Sequence, residues 1–366
     1  MTDEQLEQRT PRWGRKTVGA SFILLAVVGA AALTAVPVPY VYEAPGPVYD
    51  TLGSAEGSDG TEHELITVDG VTTYDTEGTL SMLTVSLVGS PEGRPTWFDI
   101  FAAWLRPDSA VVPMEVFFPE GTTYEETQES ANFEMESSKR EAIAAALSSQ
   151  GIEYTSYLRV EGTKSDFPSE GVLEVGDVFV SIDGKDVGSS SRISEVIAEV
   201  GEGNIAHCVL LRDGVEIEAD IPVVFNNDTD QVPVIGVIVS SHYEFPFDVS
   251  IRLDDVGGPS AGMMFALGIV DKITPGYLNG GHNVAGTGTI TAEGVVGGIG
   301  GIVQKMYGAR YAGVEYFLAP ASNCDEVAGN IPDGLQVFAV EDLGDALTAL
   351  DAIEADSDLS VLPACN

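Results

Sequence analysis

The sequence has few of the side chains that bind metals or nucleic acids. Its 366 residues include three cysteines and four histidines, and their spacing matches no metal site. Lysine and arginine together number 17 against 57 aspartates and glutamates, which gives a formal net charge of −40. A field of that sign repels the phosphate backbone of nucleic acids. We therefore expect neither a metal nor a nucleic acid partner.

A nucleotide-binding loop is also missing from the sequence. No segment fits G-x-x-x-x-G-K-[ST], the pattern whose backbone N–H groups hold the phosphates of a nucleotide. We therefore expect this chain to use neither ATP nor another cofactor.

One long stretch near the N-terminus lacks charge. Residues 17–42 carry no ionisable group apart from tyrosines, and 18–36 is almost wholly apolar, which is long enough to span a bilayer. Four basic residues precede it and acidic residues follow it. This bias predicts a single transmembrane helix in the cell membrane, with the N-terminus in the cytoplasm and the rest of the chain outside. A cleaved signal peptide is the alternative.

The most informative motif is Gly258-Pro259-Ser260-Ala261-Gly262, which an apolar run follows. Proline suits the first turn of a helix, where backbone N–H groups lack intrahelical partners. Those N–H groups and the positive end of the helix dipole can hold a developing oxyanion. Ser260 is therefore either a capping residue or a nucleophile.

The motif also fits G-x-S-x-G, the nucleophile turn of α/β-hydrolases. That fold needs an acid and then a histidine further along the chain. The only histidine after Ser260 is His282, 22 residues on, which leaves no room for the intervening elements. We reject this interpretation.

Lys305 is a second candidate base, since it follows the glycine pair Gly300-Gly301 at the start of another predicted helix. A lysine can deprotonate a serine only when it is neutral, and burial among apolar residues favours that form. The alternative is an ordinary exposed helix lysine.

Three segments, GGPSAGMMFALGIVD, AGTGTITAEGVVGGIGGIVQK and AGVEYFLAP, resemble the proteolytic domain of Lon proteases, which uses a serine–lysine dyad. The resemblance implies that Ser260 is the nucleophile, Lys305 the general base and Thr287 the residue that orients the lysine. We expect the backbone N–H of Ala261 to help hold the oxyanion. Gly257 stands where Lon proteins usually have an aspartate.

A second resemblance lies upstream. The stretch GVLEVGDVFVSIDGK, at 171–185, and the predicted helix at 190–200 resemble a PDZ domain, which binds an extended peptide by adding it to a sheet edge. The resemblance places the groove edge at 156–160. The peptide-binding residues that it implies are Leu158, Val160, Ile193 and Ile197.

The cysteines suggest one disulfide. Cys324 follows the last Lon-like strand and Cys365 is the penultimate residue, so a bridge between them would hold the C-terminal tail. We prefer this pairing, and we expect Cys208, in an apolar strand, to be a buried free thiol.

The predicted fold class is α+β, with a PDZ domain inserted in, or preceding, a Lon-type proteolytic domain. The amphipathic helix predicted at 133–151 carries a Met-Glu-Ser-Ser-x-x-x-Ala pattern that resembles a Lon-domain helix. The predicted segments are a cytoplasmic tail (1–16), a transmembrane helix (17–38), the first part of the Lon-like fold (44–151), the PDZ domain (152–225), the Lon-like domain (226–352) and a C-terminal tail (353–366).

The predicted function is that of a membrane-anchored serine endopeptidase that needs no ATP. It would cleave unfolded or loosely structured exported proteins, with the PDZ domain selecting substrates or gating the site, and could assemble into a ring. The alternative is a catalytically silent, membrane-tethered adaptor that binds peptides.

Overall fold

A computed structural model describes residues 15–57, 60–119, 121–226, 232–254 and 256–365. Most of the predicted cytoplasmic tail, residues 1–14, lies outside this part of the chain. The helices are α1 (Arg15–Ala35), α2 (Trp97–Trp104), α3 (Tyr124–Ser149), α4 (Ser190–Val200), α5 (Gly262–Ile273), α6 (Ile302–Tyr311), α7 (Cys324–Val327) and α8 (Leu343–Glu354).

Single strands and runs of strands lie between these helices, which makes the protein a mixed α/β structure. They are β1 (Tyr40–Asp50), β2 (Ser54–Glu56), β3 (Glu62–Glu64), β4 (Ile66–Asp69), β5 (Thr79–Val88), β6 (Ala110–Pro113), β7 (Thr155–Thr163), β8 (Val178–Ile182), β9 (Lys185–Asp186), β10 (Ile205–Arg212), β11 (Val215–Pro222), β12 (Val224–Phe225), β13 (Pro233–Val234), β14 (Val237–Glu244), β15 (Asp248–Ile251), β16 (Asn283–Gly286), β17 (Thr289–Ile290), β18 (Val296–Gly297), β19 (Tyr316–Pro320) and β20 (Gln336–Val340).

The chain divides into two compact units. The first takes in the chain up to Pro45 together with Val85–Thr127. In it, the start of β1 pairs antiparallel with β6, and Val41, Met114 and Phe118 form a small buried core. Helix α2 begins with a capping box, in which Thr96 and Asp99 each bond the other's backbone N–H.

The predicted membrane-spanning helix over 17–38, and the membrane location inferred from it, are wrong. A helix does form there, but among the residues that the structure describes no helix is both long enough and apolar enough to cross a bilayer. Helix α1 begins with two basic residues and ends at Ala35. The last two residues of the predicted span, Pro37 and Val38, belong to the first unit instead. Pro37 forms a β-bridge with Thr96, and Val38 is only 2% exposed.

The second unit comprises Gly46–Thr84 and Gln128–Asn366. Strands β5, β16, β19 and β20 lie side by side and parallel, so each neighbouring pair needs a crossover connection. Helix α5 is buried from Gly262 to Asp271 and packs at the centre of a core with α3 and α8. A helix that is apolar all round belongs in such a position.

A second sheet, with strand order β11-β10-β8-β7-β14, has its own apolar core. It is inserted in the larger fold, since residues before it (Met135, Leu147) and after it (Ile251, Phe265) share the core around α5. Strand β14 belongs to this sheet, where it pairs antiparallel with β7. The predicted return to the larger fold, at 226, is therefore too early.

The C-terminal tail is held by a disulfide between Cys324 and Cys365. Cys365 is buried beside the strand β20, where the N–H of Ala339 donates to the carbonyl oxygen of Pro363. Cys208 is a buried free thiol, and burial raises its pKa to about 12.

Replacing Cys365 with serine should lower the free energy of unfolding by about 2–4 kcal/mol, because the bridge closes a long loop in the unfolded chain. Urea unfolding of the variant and of the oxidised parent measures this difference. Cys208→Ala is the control for loss of a sulfur atom without loss of a bridge. Equal stability of the oxidised and the reduced parent would contradict the prediction.

Asp271 is a buried carboxyl on α5, only 1% exposed. Its Oδ1 atom accepts a hydrogen bond of 2.7 Å from the N–H of Leu278, while Oδ2 is buried with no partner among the described residues. Burial raises the pKa of this carboxyl above 3.8, its ordinary value, and the charge of Asp50 adds to the shift. The ionised form is therefore disfavoured in the native state.

Asp271→Asn should raise the free energy of unfolding near pH 7. Since the pKa is higher in the native than in the unfolded state, the ionised carboxyl lowers stability above the native pKa, and this effect vanishes below about pH 3.8, where both states hold the proton. Urea unfolding across this range tests it, with the exposed Asp351→Asn as the control. A stability difference independent of pH would argue against this account.

Candidate active site

Ser260 lies in the turn that leads into α5. Gly258 has a φ of 87°, which only glycine adopts readily, and its N–H donates to the carbonyl oxygen of Ala131 on α3 at 2.8 Å. The hydroxyl of Ser138, also on α3, donates to the carbonyl oxygen of Pro259 at 2.9 Å. Helix α3 thus holds the backbone on the N-terminal side of Ser260.

Gly257 departs from the Lon pattern for a reason visible in this packing. A Cβ atom built on it would come within 2.7 Å of the Cβ atom of Ala131. Side chains do not pack this closely, so with α3 in this position residue 257 has no room for an aspartate.

Lys305 comes from the first turns of α6, which follows a left-handed residue at Gly301. Its side chain is buried, with the residue only 3% exposed, beside the apolar Ile302 and Met306. The Nζ atom lies 2.7 Å from Oγ of Ser260 and 2.9 Å from Oγ1 of Thr287. The structure therefore brings together the three side chains predicted from the sequence.

Thr287 follows β16 and is 1% exposed. Its hydroxyl donates to the carbonyl oxygen of Ser260 at 2.9 Å while it accepts from Nζ of Lys305. The N–H of Gly288 donates to the same carbonyl oxygen, also at 2.9 Å. The nucleophile turn, the lysine and this segment are thus held as one hydrogen-bonded set.

In general, burial disfavours the ammonium form of a lysine, and only a neutral amine can deprotonate a serine. In the neutral form, the hydroxyl of Ser260 can donate its proton to Nζ across the same 2.7 Å. Ala261 lies at the N-cap of α5, next to the helix N-terminus.

Two supporting groups were not found from the sequence. Asn323 is buried and bonds both backbone groups of Ile299, through Oδ1 and Nδ2, each at 2.9 Å, just ahead of the lysine helix. Glu141 on α3 accepts a bond of 2.7 Å from the N–H of Ala292. Nothing in the spacing of a lone asparagine or glutamate predicts contacts made across 24 and 151 residues of chain.

The structure separates the four predicted peptide-binding residues into two sets. Strand β7 is not an edge, since it pairs with β8 on one side and β14 on the other, and Leu158 and Val160 on β7 are buried in the core. Ile193 and Ile197 on α4 instead line a cavity of about 250 Å³. Its other lining residues include Lys164, Phe167 and residues 233–237 and 239, so the groove lies between α4 and β13–β14.

The Nζ atom of Lys305 thus lies buried against the Ser260 hydroxyl at the start of α5, the arrangement that nucleophilic catalysis by a serine–lysine pair requires. Residues 254–352, which include Ser260, Thr287 and Lys305, match the Lon protease (S16) C-terminal proteolytic domain. The resemblance to Lon proteolytic domains is thereby confirmed.

Similar proteins include the Lon protease of Campylobacter concisus, 26% identical over 162 residues, which are 43% of this chain and 20% of that protein. The Lon protease of Citrifermentans bemidjiense is 38% identical over 89 residues, 24% of this chain and 11% of that protein. The chain thus spans about a fifth or less of the length of these relatives.

Among solved structures, the PDZ domain of an SdrC-like protein from Listeria innocua is 25% identical. The match covers 23% of this chain and 92% of that one, with a TM-score of 0.21. The corresponding domain from Listeria monocytogenes gives 25% identity, coverage of 22% and 85%, and a TM-score of 0.21.

Thr287→Val should lower the free energy of unfolding by about 1–3 kcal/mol, because it leaves a buried carbonyl oxygen and a buried amine each short of one partner. Thr287→Ser keeps the hydroxyl and loses only a methyl group, at a cost of about 1 kcal/mol. Urea unfolding compares the two variants. A valine variant as stable as the serine variant would show that these hydrogen bonds do not hold the site together.

Proposed function

We propose that this chain is a serine endopeptidase in which Ser260 is the nucleophile and Lys305 the general base. The observation that carries the proposal is the distance of 2.7 Å between Nζ and Oγ, made by a buried amine inside a Lon-type proteolytic domain.

The reaction follows from this geometry. Neutral Lys305 takes the proton of the Ser260 hydroxyl as Oγ attacks the carbonyl carbon of the scissile peptide bond. The ammonium then gives that proton to the leaving amine as the carbon–nitrogen bond breaks, which leaves an acyl-enzyme. Lys305 next takes a proton from water, which attacks the ester carbon, and returns it to Oγ as the ester bond breaks.

Thr287 and the start of α5 complete the proposed machinery. Thr287 accepts a hydrogen bond from Nζ and so aims the amine at Ser260. The oxyanion would lie against the N-terminus of α5, where the N–H of Ala261 and the helix dipole favour negative charge.

The proposed substrates are unfolded or loosely structured polypeptides. The sequence carries no phosphate-binding loop, so we propose that this chain cleaves without ATP and does not itself unfold its substrates. An extended chain can enter a site that a folded domain cannot.

The inserted domain is proposed to bind peptides in the manner of a PDZ domain. Strand β14 ends the sheet, so an extended peptide can add to it while apolar side chains enter the cavity beside α4. Lys164 lines the same cavity and would supply a cation for a peptide carboxylate. In this proposal the groove edge is β14, because the segment 156–160 lies in an interior strand.

Ser260→Ala and Lys305→Met should each reduce cleavage of an unfolded casein, without ATP, by about 10³-fold or more. Lys272→Met is the matched control, because it removes a lysine that pairs with Glu64 at the other end of α5. Thermal unfolding confirms that each variant folds. If the parent cleaves no faster than Ser260→Ala, the protease assignment fails and the peptide-binding adaptor becomes the better explanation.

A further inference from the structure

The hairpin turn 291–295, which joins β17 to β18, lies between the two parts of the second unit. Thr287 lies two residues before β17. The next residue, Gly288, donates its N–H to the carbonyl oxygen of Ser260, and its own carbonyl oxygen accepts the N–H of Met263 in α5. A displacement of this hairpin therefore acts on the groups that position Ser260 and Lys305.

One wall of the groove is tied to this turn through Glu141. Tyr243, near the end of β14, donates its hydroxyl to Oε1 of Glu141 at 2.8 Å. The other oxygen of the same carboxyl accepts the N–H of Ala292 at 2.7 Å. Burial raises the pKa of the Tyr243 phenol, so the hydroxyl keeps the proton that it donates.

The opposite wall is tied to the adjacent residue of the turn. Ser189 is the N-cap of α4, where its Oγ atom accepts the N–H of Arg192 at 3.3 Å. The same hydroxyl donates to Oε1 of Glu293 at 2.6 Å. Hydrogen bonds thus connect both groove walls, β14 and α4, to neighbouring residues of one turn.

The other side of the hairpin is held differently. The N–H of Val296 donates to the carbonyl oxygen of Glu341, and the N–H of Leu343 donates to that of Gly294, both at 2.8 Å. These bonds hold the β18 side to the body of the larger fold. The β17 side, which leads to Thr287, is the side that Glu141 and Ser189 hold through Ala292 and Glu293.

We propose that this turn couples the groove to the active site, so that an occupant that separates α4 from β14 shifts Ala292 and Glu293 and thereby repositions Thr287 and Lys305. The inference rests on the proposed function, because it assigns a regulatory role to the peptide groove of the same protease. Tyr243, Glu141, Ser189 and Glu293 are positioning residues in this scheme.

The test fills the groove without an added ligand. Ser194 is exposed on α4 and lines the cavity, so Ser194→Trp places an indole there. Ala198→Trp, at another exposed position of α4 outside the cavity lining, is the matched control. Each tryptophan variant is made in the parent and in a double variant, Tyr243→Phe with Glu293→Ala. The double variant lacks the bonds of Tyr243 to Glu141 and of Ser189 to Glu293 and is called the disconnected chain. Ser194→Phe repeats the test with a smaller side chain, and thermal unfolding checks every variant.

We expect Ser194→Trp to change kcat for unfolded casein by about fivefold or more relative to Ala198→Trp, and to change deuterium uptake over 287–297. In the disconnected chain the two tryptophan variants should be equal in both respects. A shift of the same size in the disconnected chain, or no shift in the parent, overturns the proposal.

The two readouts separate this proposal from the function on which it rests. If the parent is no more active than Ser260→Ala, the protease assignment fails. Deuterium uptake over 287–297 still decides whether groove and hairpin are coupled, since it requires no turnover.

Discussion

The rest of the structure depends on keeping one amine buried beside one hydroxyl. Burial of Lys305 is costly in its charged form, so its neighbourhood has to be apolar and closely packed, and its polar contacts have to be satisfied. The molecule meets these demands with elements far apart in the chain. Helix α6 carries the lysine, the segment after β16 carries Thr287, and α5 begins just after the serine. No single element could form this site alone.

Helix α3 holds the turn before α5 and the turn after β17. Its backbone carbonyl at Ala131 accepts the N–H of Gly258, and its Ser138 hydroxyl donates to the carbonyl oxygen of Pro259. Its Glu141 carboxyl accepts the N–H of Ala292. The closeness of α3 to the turn also explains why small residues occur there. A Cβ on Gly262 would lie 2.8 Å from both Ser138 and Ile290. The glycines of this segment thus reflect close approach between elements as well as turn conformation.

Local patterns, and the resemblance to Lon proteolytic domains that they carry, allowed the candidate site residues to be predicted from the sequence. Ser260, Thr287 and Lys305 lie in glycine-rich segments whose order and spacing are distinctive, and the structure places their side chains in contact. The segment 156–160, which was expected to be a sheet edge, lies in an interior strand, because the order of strands in a sheet depends on pairing across the chain. Strand β14 follows β7 by more than seventy residues and still pairs with it, which no local pattern reveals. Hydropathy alone also gave a wrong prediction for residues 17–38, because it does not show that Pro37 and Val38 belong to the first folded unit.

The pairing of β7 with β14 has a consequence for how the inserted domain is attached. Thr155, where the domain begins, lies opposite Glu244, where it ends, at the last rung of an antiparallel ladder. The host fold therefore meets the insertion at two adjacent chain ends, as it would meet a tight loop. Insertions with closely spaced ends disturb a host fold little. Another domain with paired terminal strands could therefore be grafted at the same junction without a change in the path of the host chain.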